Sequence, residues 1–297
     1  MRSISRRSFL AAVGAATLAR GAGLQAFLAT GHDTYIADSA GKRLWEYPTG
    51  SRDGWVLPNG NILLAINRTK DGYGGGVVEV TREDKEVFRF DGSQDEVNTV
   101  QPLEGGRLLL TEAGDRPRIL EVDRTGKILF ELAIPCQTEN HHMQTRMTRK
   151  LANGNYLVPQ MGEMEVVEYT PKGEAVWRAK TPGWPFQVMR LDSGNTFITC
   201  TRAHEAREVD PAGKVVWRIS NEDFDEPIIV DSCGAQRLPN GNTVFTSYGA
   251  KGDQVKLFEV TPAKEIVWTY RDGKPFGIHT FQVLAQGGKA FPGRSWK

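Results

Sequence analysis

Short alternating or β-branched apolar runs recur along this chain, each separated from the next by a tight polar turn. Ile62-Leu63-Leu64-Ala65-Ile66 follows the turn Leu57-Pro58-Asn59-Gly60-Asn61, and Thr243-Val244-Phe245-Thr246 follows Leu238-Pro239-Asn240-Gly241-Asn242. Leu151-Ala152-Asn153-Gly154-Asn155 and Leu191-Asp192-Ser193-Gly194-Asn195 are further copies, with weaker ones at Leu103-Glu104-Gly105-Gly106 and Leu284-Ala285-Gln286-Gly287-Gly288. Asn-Gly and Gly-Gly accept positive φ at little cost, so each copy predicts a hairpin between two strands. The leading leucines are separated by 40 residues (Leu151 to Leu191) to 48 residues (Leu103 to Leu151), the spacing of propeller blades.

The second half of each repeat reads apolar-Glu-apolar-Asp/Thr, a turn, then an aromatic residue. Thr81 leads to Phe88, Asp123 to Phe130, Thr170 to Trp177, Asp210 to Trp217 and Thr261 to Trp268, always at one separation. This adds a second hairpin and predicts four strands per repeat, with the aromatic packing between neighbouring sheets. Asp38 leads to Trp45 at the same separation, and the missing first half of that copy lies at His279 to Leu284. The expectation is an all-β, six-bladed β-propeller in which N-terminal strands complete the C-terminal blade, a closure that removes an exposed seam.

The N-terminus breaks the pattern. Ser5-Arg6-Arg7-Ser8-Phe9-Leu10, followed by the Ala- and Gly-rich run to Leu18, resembles a twin-arginine export signal, with small residues near Ala22, Ala26 and Ala29 as cleavage candidates. The expected division is a signal over residues 1–30 and the propeller over 31–297, in the periplasm or outside the cell. Composition changes little. Basic residues number 37 and acidic ones 36, which gives no electrostatic reason to expect nucleic acid, and past the N-terminus no apolar stretch is long enough to span a bilayer. The three cysteines, Cys136, Cys200 and Cys233, include no Cys-x-x-Cys pair, which argues against thiolate zinc sites and attached haem; Cys200 and Cys233 are candidates for one disulfide.

In a propeller the short hairpins share one face, and the links between blades share the other, with Arg68 to Gly76, Gly114 to Arg118 and Gly249 to Gln254 among its longer loops. Counting back from each turn leucine brings Arg52-Asp53, Glu96-Val97-Asn98, His141 to Arg146, Trp184 to Gln187, Asp231 to Cys233 and Ile278 to Thr280 to the channel mouth. Three of the five histidines lie in these stretches. His279 and His142 are the catalytic candidates. Arg146, Asn98, Asp231, Trp184 and Asp53 are the candidates for binding substrate, with Trp184 and Phe186 offering a stacking wall. Arg146 can bind an anion or pair with Asp231 or Glu96, and Asp53 and Asp231 can equally serve as pairing residues.

Leu-Pro-Asn-Gly-Asn followed by a β-branched run resembles the blades of bacterial arylsulfate sulfotransferases. That resemblance implies an exported six-bladed propeller in which a histidine is transiently sulfated, with His279 or His142 as nucleophile or acid, Arg146 as sulfate clamp and Asn98 as donor. The resemblance is expected to cover the propeller and not the extra N-terminal domain of the larger sulfotransferases. Asp210-Pro211-Ala212-Gly213-Lys214-Val215-Val216-Trp217 is similar to the docking motif of quinoprotein (PQQ)-like repeats. The adjacent cysteines beneath a quinone cofactor are missing, so the resemblance extends to the repeat and not to the cofactor. Glu96, Asn98, Asp53 and Asp231 are oxygen donors that suit calcium, a reading opposed by Arg146 and two histidines nearby. The functional expectation is a small-molecule or carbohydrate site at the mouth, for transfer or hydrolysis at an anionic or sugar-like substrate. The alternative is a non-catalytic binding module for a carbohydrate, peptide or envelope partner.

Overall fold

The computed structural model describes residues 24–67, 75–286 and 289–290. The export motif, Ala22 and most of the loop from Arg68 lie outside the described residues. The N-terminal strands are β1 (Leu24–Gly31), β2 (Thr34–Asp38) and β3 (Arg43–Tyr47). Then come β4 (Ser51–Val56), β5 (Ile62–Ile66), β6 (Gly76–Val80) and β7 (Glu86–Asp91). The next unit is β8 (Glu96–Pro102), β9 (Leu108–Ala113), β10 (Arg118–Val122) and β11 (Ile128–Ala133). It is followed by β12 (Arg149–Lys150), β13 (Tyr156–Gln160), β14 (Glu165–Tyr169) and β15 (Ala175–Lys180). The fold continues with β16 (Trp184–Arg190), β17 (Thr196–Thr201), β18 (Glu205–Val209) and β19 (Val215–Ser220). The last are β20 (Ser232–Arg237), β21 (Thr243–Ser247), β22 (Leu257–Val260), β23 (Ile266–Tyr270), β24 (Ile278–Gln286) and β25 (Lys289–Ala290).

All pairing is antiparallel within four separate four-stranded sheets, β8–β11, β12–β15, β16–β19 and β20–β23. A nine-stranded sheet holds the remainder and divides naturally into β24-β1-β2-β3, with β25 beside β24, and β4-β5-β6-β7; a single ladder pair, Gly31–Ser51, joins the two. The first strands of neighbouring units lie side by side, β4 between β8 and β24, and β20 between β16 and β24. The chain is a β-propeller.

The closing unit differs from the sequence expectation in its split. The whole missing half was expected at the C-terminus, yet its second strand is β1, which pairs with β24 from Leu24–Gln286 to Gly31–Ile278. One strand from the C-terminus therefore meets three from the N-terminus. Ala26, Phe27, Leu28 and Ala29 are at most 1% exposed, so cleavage near Ala26 or Ala29 would remove core. The propeller starts at least as early as Leu24, ahead of the expected boundary at residue 31.

The repeat motifs turn out to be partners. In each Leu-x-Asn-Gly-Asn turn the leucine N–H donates to the carbonyl four residues on, and the glycine, as at Gly60 (φ 89°), closes a three-residue loop. The final asparagine then donates across the sheet to the glutamate of the third strand: Asn61 to Glu79 at 2.6 Å, Asn155 to Glu168, Asn195 to Glu208 and Asn242 to Glu259, all at 2.7 Å. The same glutamates reach the next unit, Glu79 to Arg124 at 2.5 Å, Glu168 to Arg190 at 2.8 Å and Glu208 to Arg237 at 3.2 Å. Trp177 and Trp217 donate from outer strands to the carbonyls of Pro211 and Pro262 in the following unit, each at 3.0 Å. The aromatics pack between sheets as expected.

Candidate functional site

The inner strands do not run regularly to the channel mouth. A register break interrupts β4 between Ser51 and Asp53, β8 between Val97 and Thr99, β16 between Pro185 and Val188, and β20 between Ser232 and Ala235. Opposite β1, β24 skips from Thr280 to Ile278. The residues lifted out of register are Arg52, Asn98, Phe186 with Gln187, Cys233 with Gly234, and His279. A bulge leaves one residue unpaired and re-aims its side chain, so five inner strands present non-ladder residues at one level. In the remaining unit Arg146 precedes β12, and Met147 instead bridges to Gln187.

Five predicted residues, His279, His142, Arg146, Trp184 and Asp231, line one cavity of about 370 Å³, near the small end of ligand pockets (roughly 300–1,000 Å³). Arg52, Arg202, Tyr248, Phe186 and Met161 complete much of its wall. Asn98 and Asp53 do not line it. Asn98 is fully buried and donates to the Thr145 carbonyl at 3.1 Å. Asp53 is also fully buried; it accepts from Thr99 and pairs with Arg149 at 3.1 Å. The bulge explains this: one inserted residue hands the mouth to Arg52 and turns Asp53 into the sheet.

His279 sits between two rings, edge-on to Phe186 at 4.6 Å and Tyr248 at 5.0 Å. Its Nδ1 lies 3.2 Å from the Arg52 carbonyl oxygen. A carbonyl only accepts, so Nδ1 carries the proton and Nε2 keeps its lone pair. Burial, reinforced by the positive charges of Arg52 and Arg146, pushes this histidine down to about 3.

Glu96 organises the opposite wall. It accepts from Arg52 at 2.9 Å and lies 2.8 Å from His142 Nδ1 and 3.6 Å from Arg146 Nη1. Desolvation opposes its charge, but His142, Arg52 and Arg146 outweigh it and hold the carboxyl down to about 2. His141 turns aside to Asp95, 2.5 Å from Nδ1, in an adjoining pocket. Arg146 is 1% exposed, and its burial lowers it to about 10. The oxygen donors considered for calcium thus do not converge, since Glu96 is held by cations and Asp53 faces Arg149. All three cysteines are free thiols, so Cys200 and Cys233 form no disulfide; burial pushes both up to about 12.

Sequence reasoning placed Arg52 at the mouth without a binding role and considered Glu96 only as a calcium donor or a partner of Arg146, and it missed Arg202, Tyr248 and Met161. Tyr248 and Arg202 follow the ends of second strands, where no repeat marks them; Arg202 lies over the Trp184 ring at 5.3 Å. A larger groove of about 790 Å³ runs along Asp223 to Val230 and Arg271, but its described lining has no histidine or cysteine. No described helix is long and apolar enough to cross a membrane.

No protein-family model matches the chain, and no curated protein matches it. Among solved structures it is similar to a protein of unknown function from Bacteroides caccae, at 25% identity and TM-score 0.77 over 87% of this chain and 98% of that one. It is also similar to a catalytically inactive histidine variant of virginiamycin B lyase from Staphylococcus aureus solved with quinupristin (13% identity, TM-score 0.57, 88% and 90% covered). The WD40 β-propeller domain of Doa1 follows at 10% identity and TM-score 0.54, with 76% and 86% covered. These last two likenesses are of fold.

Proposed function

We propose that the channel mouth is the active site of an exported enzyme acting on a small anionic molecule. His279 is its nucleophile or general base, and Arg146 is its anion clamp. The observation that carries this reading is the hydrogen bond from His279 Nδ1 to the Arg52 carbonyl. It fixes the tautomer that leaves Nε2 unprotonated, while burial, reinforced by two guanidinium groups, keeps the ring neutral at working pH. An imidazole in that state can attack an electrophilic centre or accept a proton from substrate or water. Guanidinium matches the oxygens of carboxylate, sulfate and phosphate groups. Trp184 and Tyr248 suit an aromatic leaving or side group. An arylsulfate-type transfer is one reaction with these requirements. Residues 1–23 supply the export signal in this reading.

The test is turnover of chromogenic aryl sulfates (with a phenol acceptor), aryl phosphates and aryl glycosides by the wild type and His279→Gln. Wild-type turnover that falls by about 10²-fold or more in the variant supports the assignment. Equal turnover by both rejects His279 as catalytic, and anion binding without turnover reduces the mouth to a binding site.

A further inference from the structure

Two charged side chains in the mouth cavity each leave one buried atom without a hydrogen-bond partner: Arg146 Nη2 and Asp231 Oδ1. Buried polar atoms in native proteins are nearly always paired, and one left over calls for a reason. Neither residue resolves the other, since no ion pair joins them within 4 Å among the described residues. They nevertheless share one cavity, whose wall includes both. Other charges nearby are committed elsewhere. Arg52 is taken by Glu96 at 2.9 Å, Glu96 reaches Arg146 Nη1 only at 3.6 Å, and Arg202 lies on the Trp184 ring. The cavity therefore offers a cationic arm and an anionic arm that complement a third party and not each other.

We infer that the ligand is a small aromatic zwitterion, of the aromatic α-amino acid class. Its carboxylate is held by Arg146, its ammonium by Asp231, and its ring lies against Trp184 and Tyr248. This rests on the mouth being an anion site, and it narrows that site's substrate class. Asp231 explains why a simple anion is not the best fit: a bare carboxylate or sulfate would face an uncompensated negative oxygen, whereas an ammonium donates to it. Tyr248 is 41% exposed, which leaves its ring free to cover a guest. The volume of about 370 Å³ suits a single amino acid better than a peptide.

The experiment is calorimetric titration of the full chain with L-phenylalanine, phenylacetate and phenethylamine, repeated on Asp231→Asn and Arg146→Gln, with circular dichroism checking that each variant is folded. L-Phenylalanine is expected to bind about tenfold more tightly than either single-charge analogue. Asp231→Asn should remove that advantage while phenylacetate binds the variant at least as tightly as the wild type. Phenylacetate binding as well as L-phenylalanine, or equal weakening of both by Asp231→Asn, overturns the inference. If phenylacetate binds the wild type and loses affinity in Arg146→Gln without any gain from the ammonium, the anion site stands and the zwitterion falls. Binding of neither carboxylate rejects both readings, and if Arg146→Gln does not fold, the Asp231→Asn comparison decides alone.

Discussion

The two faces of this propeller use the same kinds of residue in opposite ways. On the hairpin face a buried glutamate in each of several units takes an asparagine from its own turn and an arginine from the next, and the pattern repeats around the ring. At the mouth, Arg146 and Asp231 each keep an unpartnered atom, and Glu96 is shared among Arg52, His142 and, more distantly, Arg146. Repetition of one Asn–Glu partnership from unit to unit marks the part that holds the ring. Singular residues with unsatisfied partners mark the part kept for a ligand. Stability has been conceded at one face and secured at the other, as expected where a site needs exposed chemical capacity.

Breaking the hairpin face should have the largest effect on stability. Glu168→Ala strands Asn153, Asn155 and Arg190 together. It should lower stability by about 2–3 kcal/mol, on the order of 5–10 °C in Tm, as read by thermal unfolding.

Acid sensitivity should trace to the mouth. The pKa of His279 is about 3 when folded and about 6.5 when unfolded, so between these values only the unfolded chain takes the proton. Stability from this residue is full above about 6.5 and is lost as pH falls toward 3, at up to roughly 1.4 kcal/mol per pH unit. Unfolding measured from pH 6.5 to 4 should show a shallower slope in His279→Gln; an unchanged slope would place the titrating group elsewhere.

Replacing the buried Arg146 should act in the other direction. Arg146→Met fills a similar volume without a buried charge and should raise stability by about 1 kcal/mol while removing anion binding, a combination seen by pairing a melt with a titration. Loss of stability would mean that the Arg146 bond to the Thr145 carbonyl (2.7 Å) outweighs its desolvation. The smallest effect belongs to the rim: Trp217→Phe keeps the packing and loses the bond to Pro262, which should amount to less than about 1 kcal/mol.

The fold was largely legible because turns impose chemistry: Gly60 and its counterparts sit at positive φ, and few other residues do so cheaply. The Asn–Glu partnership was not, because Asn61 and Glu79 are 18 residues apart whereas Asn155 and Glu168 are 13 apart, so no fixed spacing announces it. The closing strand β1 was hidden by its place beside an Ala- and Gly-rich segment, where Ala26 and Ala29 resemble signal residues as much as core. At the mouth the stretches could be found from the repeat, but not which residue in each faces the cavity. A bulge shifts alternation by one position, and that single residue separates Arg52 from Asp53. Loop residues such as Arg202 and Tyr248 carry no periodicity and become visible only when the blades are assembled.

The central claim, a neutral and tautomerically fixed His279 beneath two arginines, is tested most directly by the ¹⁵N resonances of its ring in a pH titration followed by NMR. The expected result is a proton on Nδ1, a bare Nε2, and no titration down to about pH 4. A ring that titrates near 6.5, or one that carries its proton on Nε2, would contradict the proposed role.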